Sequence, residues 1–155
     1  MSRKQTRRKH WGLVNPLGHV LDGIAETPKN LLDKLRTREL SALESMAKGT
    51  ATIQDWRDLV DMMNIAETMA LSGIGPEVLP VCEQVQAAML EAANRFESSG
   101  RMGMTGLGLQ ALRDLYEFAD LQRTSISRGD YERLIAKTAA KIRTGMHQGR
   151  DVVMV

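Results

Sequence analysis

The sequence predicts an all-α fold: an antiparallel helical bundle of four long helices plus short helical pieces, preceded by a disordered basic N-terminal tail. Three observations predict it. Aromatic residues are only 4% of the 155 residues, whereas Met alone contributes 10; unbranched side chains of that kind lose little rotamer freedom in a helix. Apolar residues recur at 3.6-residue spacing in window after window. No alternating run of strand length appears ahead of the C-terminal residues.

The elements follow in order. Residues 1–10 lack apolar periodicity and are expected to be disordered when free. Residues 15–25 read as a short helix weakened by Gly18 and Gly23. Thr27 is a helix N-cap with Pro28 at the first helical position, where its missing N–H is no loss. The helix that follows places Leu31, Leu32, Leu35, Leu40, Leu43 and Met46 on its apolar side and stops at Gly49. Thr52 with Asp55 three residues on makes a capping box for the next helix. That helix carries Trp56, Leu59, Val60, Met62, Met63, Ala66, Met69 and Ala70 and ends at Ser72-Gly73.

Ile74-Gly75-Pro76 is a tight turn, and regular helix is expected to resume near Pro80. Its stripe is Val81, Val85, Ala88, Met89, Ala92 and Phe96. Residues 98–108 form the clearest break, with glycines at 100, 103, 106 and 108. Leu109, Leu112, Leu115, Tyr116, Ala119 and Leu121 then mark a fourth long helix. Ser127 and Asp130 box the start of a last one, from Arg128 to about Thr144, ended by Gly145. The final Asp151-Val152-Val153-Met154-Val155 is apolar but short, and either pairs or frays. The chain is one domain long: a basic disordered tail over 1–12, a single helical bundle over 13–146 and a flexible tail over 147–155. Trp56, Leu59, Met63, Val85, Met89, Leu112 and Leu115 are the expected core.

Composition narrows the class further. Hydrophobic residues at 43% and charged residues at 26% are those of a globular chain. Cys82, the one cysteine, can form no internal bridge and fits a reducing cytoplasm, with the thiol read as a small buried hydrophobe. No stretch approaches the ~20 apolar residues of a membrane span, so no membrane contact is expected. Asn15, Pro16 and Gly18 interrupt the opening apolar residues before they reach the length of a secretory leader's core.

The formal net charge of +2 conceals an asymmetry. Residues 1–10 hold five basic and no acidic residues, 11–120 hold 9 basic and 16 acidic, and 121–155 hold 7 basic and 3 acidic. Basic ends flank an acidic middle. The cluster Arg3, Lys4, Arg7, Arg8 and Lys9 has the charge density that suits phosphate backbones. A solvated tail and a tail docked on the acidic middle fit the same residues. On the last helix Leu134, Ile135, Thr138, Ala139 and Ile142 trace one face, and Arg133, Lys137 and Lys141 fall four apart on another. That layout serves a solubilised bundle helix or a basic face against phosphate. Trp11 either stacks on an unpaired base or anchors the tail's exit from the core.

Catalytic patterns are missing. The glycine-rich segment lacks the preceding strand and the Lys-Ser or Lys-Thr of a phosphate loop, so it reads as a flexible inter-helix loop where Arg101 gives at most weak phosphate contact. No Glu-x-x-His pair exists, and three scattered His with one Cys make no zinc site. Asp55, Asp58 and Asp61 read as a hydrated helix face without calcium-loop spacing. No helix-turn-helix turn is recognisable. Neither metal nor cofactor is implied, and nothing singles out a general acid–base pair among 19 carboxylates.

The opening Met1-Ser2-Arg3-Lys4-Gln5-Thr6-Arg7-Arg8 resembles a group of short proteins carried by phages, prophages and plasmids of proteobacteria. So do Leu35-Arg36-Thr37-Arg38-Glu39-Leu40, Gly73-Ile74-Gly75-Pro76-Glu77, Leu112-Arg113-Asp114-Leu115-Tyr116-Glu117 and Ser125-Ile126-Ser127-Arg128. The resemblance implies a bacterial cytoplasm, or a host cytoplasm if phage-encoded, and a mobile-element setting; it brings no functional residues with it. The expectation is a non-enzymatic accessory protein that contacts DNA or RNA, or a nucleoprotein complex, through its basic ends. The alternative is an adaptor or inhibitor that binds a host or phage protein through its acidic middle.

Overall fold

A computed structural model describes residues 28–147. The short helix expected at 15–25, the Thr27 cap, Trp11, the basic tail and the last eight residues lie outside the described residues. Those described form five helices: α1 (Pro28–Lys48), α2 (Ile53–Leu71), α3 (Leu79–Ser99), α4 (Gly106–Thr124) and α5 (Arg128–His147). A single turn of 3₁₀ helix, Pro76–Val78, leads into α3. The fold is all-α, with no strand among the described residues.

Local chemistry sets the boundaries. The Thr52 hydroxyl accepts from the Asp55 N–H while the Asp55 carboxylate accepts from the Thr52 N–H, so two otherwise orphaned donors at the start of α2 are satisfied reciprocally. Gly49 closes α1 with a φ of 70°, a conformation that costs a residue without a β-carbon little. At the far end Gly145 does not stop α5, which runs to His147. One glycine weakens a helix interior by about 1 kcal/mol, too little to end it, and Gly145 is buried in the packing.

α2 is the hub. It packs against all four other helices and buries 11 of its 19 residues. The main core joins Trp56, Leu59, Met62 and Met63 of α2 to Val85 and Met89 of α3 and to Leu112 and Leu115 of α4. The Trp56 indole N–H donates to the Met89 carbonyl at 2.9 Å, so its polar edge is satisfied where it is buried. α5 packs chiefly on α2 rather than on α4, its neighbour in sequence. It closes a second cluster of Leu35, Ile65, Met69, Tyr131 and Ile135.

Several sequence expectations need correction. Leu40 and Leu121, assigned to apolar stripes, are 47% and 67% exposed. The buried row of α1 runs Leu31, Leu35, Glu39, Ala42 and Met46, and that of α4 runs Leu112, Leu115, Ala119 and Gln122. Helical periodicity carries both rows through a polar residue adjacent to the leucine. Gln122 earns its place by donating to the Ala66 carbonyl at 3.2 Å and the Ile74 carbonyl at 2.8 Å. Asp58 and Asp61 are not on a hydrated face but buried, because α2 is covered on several sides.

The glycine-rich segment is also shorter and better packed than a flexible loop. α4 already begins at Gly106, where the Thr105 hydroxyl accepts from the Gly108 N–H. Met102 is 1% exposed. Gly103 lies so near the end of α1 that a β-carbon on it would sit 3.1 Å from the Gly49 α-carbon.

Candidate nucleic-acid interface

Arg3, Lys4, Arg7, Arg8 and Lys9 lie outside the described residues. The other three candidates, Arg133, Lys137 and Lys141, share the outer side of α5. Tyr131 and Ile135 point the opposite way, into the bundle, while buried Thr138 flanks Lys141 at the edge of the cationic side. A spacing of four residues sets the cations roughly 6 Å apart along the axis.

Each cation has a local partner. Arg133, with a side chain 77% exposed, pairs with Asp130 one turn earlier. That guanidinium, with help from Ser127, holds the Asp130 carboxyl below the usual carboxylate range. The Lys137 ammonium donates to the Ser72 hydroxyl at 3.0 Å. Lys141 reaches Glu67 of α2 at 3.1 Å, over a cleft of about 250 Å³ that Asn64, Gln86 and Thr138 also line. Exposed pairs of this kind contribute little to stability. The cations can therefore leave these partners at small cost.

A second set of charges, not found in the sequence, lies inside. The Arg123 guanidinium meets Glu39 through two contacts of 2.9 Å. One of them, Nη2 to Oε2, is close enough for an ion pair but outside hydrogen-bond geometry. Arg123 also donates Nε–H to Asp120 at 2.9 Å, and Asp120 takes both Nε and Nη2 of Arg36 at 2.9 and 3.0 Å. The Tyr116 ring lies 5.9 Å from the Arg123 guanidinium carbon. Burial opposes the Arg123 cation, but the charge and hydrogen bonding of Glu39 outweigh it and raise its pKa. Between α1 and α2, Arg38 forks onto both oxygens of Asp58 at 2.8 Å. Asp61 lies nearby with one carboxylate oxygen unpartnered. Burial, and then the neighbouring Asp58, push its carboxyl up to about 8.

No family model, curated protein or solved structure matches this chain.

The buried charge networks pair side chains of different helices, Arg36 and Glu39 of α1 with Asp120 and Arg123 of α4 and Arg38 of α1 with Asp58 of α2, and so act as fasteners between helices. Cys82 is buried, as read from the sequence, and burial raises its thiol to about 12, leaving it protonated and inert at neutral pH. Among the described residues no three His, Cys, Asp or Glu side chains cluster to hold a metal ion. No helix among them is long and apolar enough to cross a membrane. Glu39 and Arg123 were legible in one respect: each occupies the register of its helix's apolar row, and their charges are opposite.

Proposed function

We propose that the protein is a non-enzymatic accessory module, of a phage or other mobile element, that contacts the phosphate backbone of DNA or RNA. The tail cations Arg3, Lys4, Arg7, Arg8 and Lys9 and the α5 cations Arg133, Lys137 and Lys141 carry the contact. The observation that supports this reading most is the α5 row itself: three cations one turn apart, all exposed, on a helix anchored by its other face. Phosphate contacts of this kind release counterions and need no base recognition.

The buried acids favour this reading over one in which the acidic middle mimics nucleic acid. Glu39, Asp58 and Asp61 lie buried, which removes them from any surface a basic partner would meet, and Asp120 is engaged by Arg36 and Arg123. The testing experiment is an anisotropy titration of a random duplex at two salt concentrations, with full-length protein and a variant lacking residues 2–9. Binding is expected in the range of about 10⁻⁴–10⁻⁶ M for the full chain, weaker for the truncated one, with an unchanged thermal midpoint. If neither binds at low salt, the nucleic-acid reading fails and a protein partner replaces it.

A further inference from the structure

We propose that the cleft between the C-terminal ends of α1 and α3 is a binding site for a phosphate monoester. The cleft encloses about 340 Å³. Lys48, Arg95 and Arg101 line it, and no acidic residue does. Gly49 and Gly103 line it together, and their backbones approach so closely that a β-carbon on Gly103 would sit 3.1 Å from the Gly49 α-carbon. Met46 and Met104 supply apolar wall.

The three cations stand in different states. Lys48 pairs with Glu44 at 2.6 Å, and the Arg95 guanidinium is held between Glu91 at 2.9 Å and the Gly103 carbonyl at 3.3 Å. Both carboxylates stand outside the cleft lining. Arg101 is different: its guanidinium lies over Gly49, with Nη2 3.1 Å from where a β-carbon would be, and it makes no ion pair among the described residues. Cations gather at helix C-termini because the helix dipole favours them there. That accounts for Lys48 in the last turn of α1. The same dipole favours Arg101, which stands just beyond the C-cap of α3, and Arg101 is exposed without a counter-ion among the described residues.

Shape decides the ligand class. A convex row such as that of α5 meets successive diester phosphates, each singly charged and flanked by sugars. A concave site in which three cations converge suits one group carrying close to two charges, with three oxygens free to accept. A terminal phosphate monoester has that charge and that acceptor set near neutral pH, and arginine's forked donors match it. The group can come from a mononucleotide or from the 5′ end of a strand. The site is independent of the α5 contact.

The test uses the full-length protein and two copies of one short single-stranded DNA, 5′-phosphorylated and 5′-hydroxyl, together with AMP and inorganic phosphate. AMP is titrated calorimetrically into the protein, and the strands are compared by anisotropy. Both Arg101 and Lys48 have exposed side chains, so Arg101→Ala and Lys48→Ala should retain the helical circular dichroism. We expect the phosphorylated strand, AMP or both to bind about tenfold more tightly to the wild-type protein than to either variant. Binding of the hydroxyl strand should be the same for all three. Preference for AMP assigns the ligand as a small ester, and preference confined to the phosphorylated strand assigns it as a strand end. If AMP, inorganic phosphate and the phosphorylated strand all bind the variants as they bind wild type, the proposal is overturned, whatever the α5 variants do.

Discussion

Arg123 of α4 and Glu39 of α1 form an ion pair inside the bundle, with side chains 2% and 3% exposed. The pair joins two helices through residues 84 apart in the chain. It is not an isolated bond: Asp120 links Arg123 to Arg36, so that the buried guanidinium has two carboxylate partners while Glu39 depends on Arg123 alone. Desolvation makes such networks poor net contributors to stability but expensive to break in half.

Removing one partner should show that asymmetry. Glu39→Ala is expected to destabilise by about 3–5 kcal/mol, because Arg123 stays buried and charged without its main counter-ion. The double variant Glu39→Leu with Arg123→Met should recover most of the loss. Urea denaturation of the three proteins measures it. A Glu39→Ala cost under about 1 kcal/mol would place the pair among surface bridges.

Asp61 makes stability depend on pH. Its carboxyl moves from an ordinary value of 3.8 up to about 8 in the fold, with Asp58, Arg38 and Arg57 as its charged neighbours. The native state thus holds a proton that the unfolded chain releases near pH 4. The stabilisation this gives is complete below about pH 4, declines as pH rises, and is gone above about pH 8. Asp61→Asn, which stays neutral, should lose a slope of up to about 1.4 kcal/mol per pH unit, so that wild type falls progressively behind it between about pH 4 and pH 8. Chemical denaturation at pH 5, 6.5 and 8 checks this; parallel curves for the two proteins would show that Asp61 ionises normally.

The register of α4 is tested by contrasting two leucines. Leu112→Ala should cost about 2–5 kcal/mol, since Leu112 is fully buried. Leu121→Ser, at a position 67% exposed, should stay within about 0.5 kcal/mol of wild type. Thermal melts of both variants decide it. Similar losses at the two sites would mean that the apolar row continues to Leu121 and that Gln122 is outside it.

Much of this fold is written in local pattern. Spacing alone places Trp56, Leu59, Met63, Val85, Met89, Leu112 and Leu115 in the core, and all are buried. The Thr52–Asp55 box marked the start of α2 because a cap needs only residues three apart. What pattern could not supply were interactions between distant segments. Glu39 looks like a surface charge until Arg123 is opposite it, and the helix's buried row then passes through Glu39 rather than Leu40. Asp58 and Asp61 look hydrated until α1 covers them. The basic cleft is hidden for the same reason. Lys48, Arg95 and Arg101 come from two segments, and the Gly49–Gly103 approach that joins them is set by packing. By contrast, Arg133, Lys137 and Lys141 lie on one helix, and the sequence was enough to place them on one face.

The most direct test of the proposed function is the salt dependence of binding to a random DNA duplex, measured by anisotropy for the full-length protein and for Arg133→Ala, Lys137→Ala, Lys141→Ala combined. Log affinity plotted against log salt should fall steeply for the wild-type protein. The triple variant should bind more weakly, with a slope shallower by about 2–3, close to one per lost phosphate contact. A triple variant with the wild-type slope and affinity would contradict the account, as would a full-length protein whose binding does not change with salt.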